Sequence, residues 1–457
     1  MNSSMSFENK ILVLSSLTIF ISLLDVNIVM ISYPVIAKVF NVNLSGVAIV
    51  SISFLMTLAI SMPISGRVND LIGVKNTILI GYVIVIVSGF MCGVSESLNQ
   101  LAFFRAIQGV GAALLSIAST SMIILYIPAH TRGKAFGVLA TSGAVGLTLG
   151  APIGGVLTGY FGWESIFFSI IPFALFTALL SYRVVPSVKE VLSLNDIIKN
   201  FDFTGAALIS FGIGTSVYAM VSFIHTHTYH LSTIVTFTLG VAAIFFFIRY
   251  EMKSKTPLMD LSILKNRYFV LILFANMAAV VLLSMNNFIV PFYLIEKLSL
   301  SPQYAGIVMV SFSIVYGVLS PFMGRLSDKS NPYFLCLIGM ILALVITILF
   351  SFVIESASVT HVVILLIGYG IAFAFFISPV HTIALGFATK KNAGSTTALF
   401  RTTRQISSLL AIVLVGILVG NISTHGNAID FHAIIIFEIY VATLSIILMI
   451  YLLLKNR

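Results

Sequence analysis

Residues 66–70 read Gly-Arg-Val-Asn-Asp, and residues 324–328, 258 positions later, read Gly-Arg-Leu-Ser-Asp. Each pentad closes a long apolar run. Upstream, PVIAKVFNVNLSGVA (34–48) is echoed by PFYLIEKLSLSPQYAG (291–306), with Lys38 and Lys297 at nearly the same separation. Two echoes at one offset mark an internal duplication, and that sets the architecture before any single residue is weighed.

The runs themselves belong in a bilayer. Of 457 residues 59% are hydrophobic and 9% charged, against roughly 25% charged in a soluble domain, which excludes a water-soluble globule. Two cysteines exclude a disulfide-stapled scaffold, and 12% aromatic content excludes a disordered chain. Fourteen apolar runs of about 20 residues can each cross ~30 Å of hydrocarbon at ~1.5 Å per residue. They cover 10–33, 47–66, 76–95, 99–125, 135–160, 164–185, 203–223, 231–250, 267–291, 304–324, 333–354, 359–382, 399–420 and 432–454. The first reads as a retained span, because it reaches Pro34 without a small-residue cleavage site.

Of the 24 Lys and Arg residues, 21 fall at the termini or in even-to-odd connections. Lys38 and Lys297 lie on the other face, and Arg105 lies within a span. Positive charge collects in cytoplasmic loops, so both termini are expected in the cytoplasm of a cell-membrane protein. The formal charge of +9 is then a topology signal, and the expected partner is lipid rather than nucleic acid.

The duplication also locates an insertion. With six spans per half, the loop after span two would be echoed after span eight, yet the echo follows span ten. Two extra helices, 203–223 and 231–250, therefore lie in a linker of 186–266, between an N-terminal six-helix half (1–185) and a C-terminal one (267–457). The expected fold class is an all-α polytopic membrane protein of fourteen transmembrane helices. Parallel halves related by an axis along the membrane normal are one plan of secondary transporters, with the substrate site at the midplane.

Several motifs can carry chemistry on this frame. In GRVNDLIGVK (66–75), Gly66 and Gly73 allow close approach and tight turning, and Asp70 and Lys75 can pair with each other or with helix ends. With its echo at Gly324 and Asp328, the loop reads as a conformational latch. Arg105, in LAFFRAIQGVGAA (101–113), lies about two turns inside span four. Exposing it to lipid costs at least about 2.5 kcal/mol, so it should face the bundle and have a partner. Gln108 shares its helix face, and Asp25, in Leu24-Asp25-Val26-Asn27, lies at comparable depth. Asp25 reads as the only acid deep in a span, and its protonation can follow its distance from Arg105.

In GAVGLTLGAPIGGVLTG (143–159), Gly146, Gly150, Gly154 and Gly155 flatten span five for close packing, and Pro152 bends it. The stripe reads either as simple packing or as a moving interface between halves. Candidates for a pocket are Asn27, Gln108, Met285, Asn286, Tyr316, Phe376 and Glu438, the last reading as interfacial near the outer end of span fourteen. His225, His227 and His230 read as a solvated loop, and no metal site is expected. No phosphate-binding glycine loop, HExxH or serine elbow occurs, which disfavours ATP-driven or hydrolytic chemistry and an enzyme.

These motifs together resemble the major facilitator superfamily, and more closely its fourteen-helix drug:proton antiporter family. The family's LDxTIVNVALP is kept at Leu24, Asp25, Ile28, Val29 and Pro34. Its GxLADRxGRK is matched at Gly66, Asp70, Gly73 and Lys75, and its RxxQGxGAA fully at Arg105, Gln108, Gly109, Gly111, Ala112 and Ala113. Its GxxxGPxxGG is matched at Gly146, Gly150, Gly154 and Gly155, with Pro152 one position late. Leu71 and Val74 stand where the loop motif has basic residues.

The resemblance implies the major facilitator fold and a proton-coupled exporter of hydrophobic, cationic or zwitterionic toxicants. Asp25 would be the functional acid and Arg105 would support the coupling. The expected protein is a monomer that uses the proton gradient and no cofactor. The alternatives are export of a lipid precursor, siderophore or metabolite on the same fold, or a non-transporting receptor or scaffold.

Overall fold

The computed structural model describes residues 6–128, 131–187, 200–226, 230–254, 257–327, 329–356, 358–387, 393–420 and 431–455. Backbone groups in hydrocarbon must be satisfied within the segment, so apolar runs of this length fold as helices. Fourteen among the described residues are long and apolar enough to cross a membrane. We number them α1 (Phe7–Ile28), α2 (Leu44–Ile72), α3 (Val74–Gly93), α4 (Leu98–Tyr126), α5 (Arg132–Phe161), α6 (Ser165–Val184) and α7 (Phe203–Thr226). The rest are α8 (Leu231–Glu251), α9 (Arg267–Phe292), α10 (Pro302–Ser327), α11 (Pro332–Val353), α12 (Val359–Gly386), α13 (Ala393–Gly420) and α14 (Phe431–Lys455).

Two ends differ from expectation in the same way. The expected spans end at residues 33 and 291. Instead α1 continues through a 3-10 turn at Met30–Ser32 into a short helix, Tyr33–Val39, and α9 continues into a π turn at Tyr293–Lys297. Pro34 sits in the first turn of its short helix, where a missing N–H costs nothing. At the other end of α2, the charged residues 67–70 stay helical, and the turn is made by Gly73 at φ 80°. Gly66 therefore lies inside a helix with open space where a Cβ would stand, contrary to its expected role in close approach.

Helix contacts display the duplication. In the first half α1 packs on α4, α5 and α6, α2 on α4, and α3 on α4 and α6. In the second, α9 packs on α12, α13 and α14, α10 on α12, and α11 on α12 and α14. Adding eight to each helix number in the first set yields the second. Between the halves, α2 meets α13 and α5 meets α10, a reciprocal pair, as a pseudo-twofold axis requires. The pair α7 and α8 packs together and reaches the bundle chiefly where α7 touches α13 and α2.

Small residues set the closest seams. A Cβ on Gly109 would overlap Thr57 Oγ1 and the Phe54 carbonyl, so this glycine lets α2 lie against α4. Gly109→Ala is expected to cost about 1–3 kcal/mol by overpacking, read as a lowered thermal midpoint of the purified protein.

Candidate functional site

The α2–α4 seam brings Phe54 beneath Arg105, whose guanidinium carbon stands 4.0 Å from that ring's centroid and 5.9 Å from that of Phe167 on α6. Arg105 Nη1 lies 3.5 Å from Asp25 Oδ1 and donates to Gln108 Oε1 at 2.8 Å. Gln108 Nε2 donates to the same Asp25 oxygen at 3.2 Å, closing a triangle between α1 and α4. Asp25 and Arg105 are each 1% exposed and Gln108 is 0% exposed, so the group is sealed from solvent. Cys92 Sγ sits 3.8 Å from Gln108 Oε1, and Tyr33, held by Ser51, lies beside Arg105.

This geometry can hold two charge states. Desolvating a buried ion pair costs about as much as its attraction returns, so the pair is not a deep energetic trap. A proton can settle on Asp25 Oδ2, which has no hydrogen-bond partner. Arg105 then keeps Gln108 Oε1 and the faces of Phe54 and Phe167, which stabilise a cation without a counter-ion. Phe54, Phe167 and Tyr33 escape a reading of sequence because an aromatic in an apolar span carries no mark of its neighbour.

The glycine helix works on two fronts. Toward α1, a Cβ on Gly146 would lie 2.5 Å from the Phe20 carbonyl and one on Gly150 would lie 2.7 Å from Asn27 Cβ, while one on Gly154 would overlap the Ile28 carbonyl. Toward α10, a Cβ on Gly155 would lie 2.5 Å from the Pro302 carbonyl and 3.0 Å from Gly306 Cα, with Pro152 Cα against Gly306. The α10 contacts of these glycines lie at the end of the bundle remote from the basic residues. There the backbones of α5 and α10 are in contact. Nearer the basic end the halves meet again where Arg401 of α13 donates to Ser116 Oγ of α4 at 3.2 Å.

Of the expected pocket residues the structure brings Asn286 and Glu438 together and sets the others apart. Asn27 spends its amide on the Leu147 carbonyl at 3.0 Å, tying α1 to α5. Gln108 belongs to the acid–arginine triangle, while Met285 and Phe376 are fully buried. Tyr316 stacks on Phe312 at 5.7 Å. Asn286 and Glu438 bond each other at 3.0 Å, and Glu438 is 3% exposed, which overturns both its interfacial reading and the uniqueness of Asp25 as a buried acid.

In the loop motif, Lys75 lies over the Tyr182 ring at 4.8 Å rather than against Asp70, which forms no ion pair among the described residues. Arg67 donates instead to the Asn200 carbonyl at 2.7 Å, linking α2 to the segment before α7. Gly324 faces Ser378 of α12. Asp328 and His227 lie outside the described residues.

The family model described as Major Facilitator Superfamily matches residues 15–283 and 272–457. The riboflavin transporter RibZ of Clostridioides difficile is 26% identical over 88% of this chain and 86% of its own. The multidrug resistance protein Stp of Mycobacterium tuberculosis is 25% identical over 89% of this chain and 74% of its own. A crystal structure of a D-xylose-proton symporter, 14% identical, superposes with a TM-score of 0.67 over 98% of this chain and 97% of its own, a likeness of fold. With a duplicated bundle, fourteen membrane-length helices among the described residues and a matching family model over almost the full length, the chain belongs to the major facilitator superfamily, as a multi-pass membrane transporter of small molecules.

Proposed function

We propose that this transporter exports hydrophobic, cationic or zwitterionic compounds across the cell membrane in exchange for protons, by alternating access, with Asp25 as the proton carrier. The observation that carries the proposal is the sealed triangle of Asp25, Arg105 and Gln108, whose donors and aromatic faces suit either protonation state of the acid. The multidrug-resistance name of Stp supports drugs as the cargo. The bias of basic residues supports cytoplasmic termini, which turns the remote end, where α5 meets α10, to the outside.

The glycine stripe of α5 serves the change of state, because its α10 face is the seam that must part. The loop motif acts as a latch through Arg67, which ties α2 to the linker. The name of RibZ favours a second reading, carriage of a metabolite with a planar ring system on the same machinery. In everted vesicles holding a pre-formed pH gradient, added ethidium is expected to release protons in proportion to its uptake. Ethidium that leaves the gradient intact while riboflavin collapses it would support the second reading, and no response to either would sink proton exchange of both.

A further inference from the structure

The C-terminal half holds a buried acid of its own, two turns inside α14. Glu438 accepts a hydrogen bond from Asn286 Nδ2 of α9 at 3.0 Å, and the same nitrogen lies 3.1 Å from the Leu282 carbonyl. Beside it is a cavity of about 30 Å³, room enough for a water molecule. Its polar lining is Glu438, Asn286, Thr347, Tyr369 and Tyr293, and the remainder is hydrocarbon and aromatic. Thr347 donates to the Ala343 carbonyl at 2.9 Å, so the 2.6 Å contact with Tyr369 uses the tyrosine's own proton. Tyr293, Ile354 and Phe431 carry the cavity toward the remote end of the bundle.

Among the described residues, the titratable and charged groups around Glu438 are few. Tyr369 comes from α12 and Tyr293 from the end of α9, α11 contributes Thr347 and no charge, and α13 contributes nothing to the lining. Lys297 is not a lining group, and its Nζ stands over the outer rings of Tyr293 and Phe431 at 5.6 Å and 5.7 Å. A carboxylate with a single amide donor in such surroundings is costly unless it binds a cation or a proton. Thr347 and Tyr369 are committed to each other and Tyr293 donates to the Ile354 carbonyl at 2.6 Å, which leaves too few free oxygens in a one-water cavity for the shell of an alkali ion.

We infer that Glu438 is a second proton-binding site, reached through the water-sized cavity from the remote end and independent of Asp25. It is not the duplicate of Asp25, since α14 corresponds to α6 and α1 to α9. The inference extends the proton-exchange reading of Asp25, and its test lets the two fail separately.

The test is pH-induced infrared difference spectroscopy of the full-length protein in lipid, in choline buffer without substrate. The parent is expected to show a protonated-carboxyl stretch that Glu438→Gln removes, that Glu438→Asp shifts in frequency, and that Asp25→Asn leaves in place. A spectrum unchanged by Glu438→Gln overturns the site. Loss of the same band in Asp25→Asn overturns its independence, and suppression of the band by sodium at fixed pH reassigns it to a metal ion. In vesicles, Glu438→Gln is expected to halve the protons released per ethidium, and an unchanged ratio counts against a role in transport.

Discussion

Asp25→Asn is expected to abolish pH-driven transport, lowering ethidium movement under a pH gradient to the rate of protein-free liposomes. Exchange of ethidium down its own gradient is expected to persist. The two arms follow from the triangle. Asparagine keeps an oxygen for Gln108 Nε2 and nearly the same volume, so the α1–α4 seam retains its hydrogen bond. What disappears is the group that changes charge. Arg105 remains charged, and truncating one member of a buried pair costs about 3–5 kcal/mol in unfavourable cases. Gln108 Oε1 and the Phe54 face soften that cost here, so a folded variant is expected by size exclusion. Transport still driven by the pH gradient would remove Asp25 from the proton path.

Gly155→Val is expected to shift the protein away from the state in which α5 and α10 touch at the remote end. A Cβ there meets the Pro302 carbonyl at 2.5 Å and Gly306 Cα at 3.0 Å, both backbone atoms that cannot rotate aside. Overpacking of about 1–3 kcal/mol that applies in one state only changes the ratio of states roughly 5- to 150-fold. Spin labels at the exposed Tyr160 and Tyr304 are expected to report a longer distance in the variant. Gly154→Ala is the contrast. Its Cβ would strike the Ile28 carbonyl inside the N-terminal half, so it is expected to lower the thermal midpoint without moving that distance. An unchanged distance in Gly155→Val would reduce the glycine motif to packing.

The helices were legible because a bilayer demands runs of fixed length, and the duplication was legible because its echoes keep one offset. Their ends were less so. Hydropathy stops at the charges of 67–70, but the helix does not, since its last turns extend past the apolar layer. The pairing of Asp25 with Arg105 followed from depth alone. Pocket membership did not, because lipid-facing and interior faces are both apolar in a membrane and leave no stripe to phase a helix. That ambiguity scattered Met285, Phe376 and Asn27 into seams, and it hid Phe54. Glu438 was misplaced for another reason. Its closeness to the helix start suggested an interface, but Tyr293 and Phe431 extend the wall beyond it.

The α7–α8 hairpin touches the bundle lightly, and the twelve remaining helices pair off by the rule of eight without it. Two crossings return the chain to the side it left. Inserting such a pair between the halves therefore inverts nothing downstream: every later helix keeps its direction, every later loop its side, and the second half meets the first as it would in a twelve-helix carrier. An odd insertion would have turned the second half upside down. Parity, more than any contact the hairpin makes, is what allows this fold to carry it.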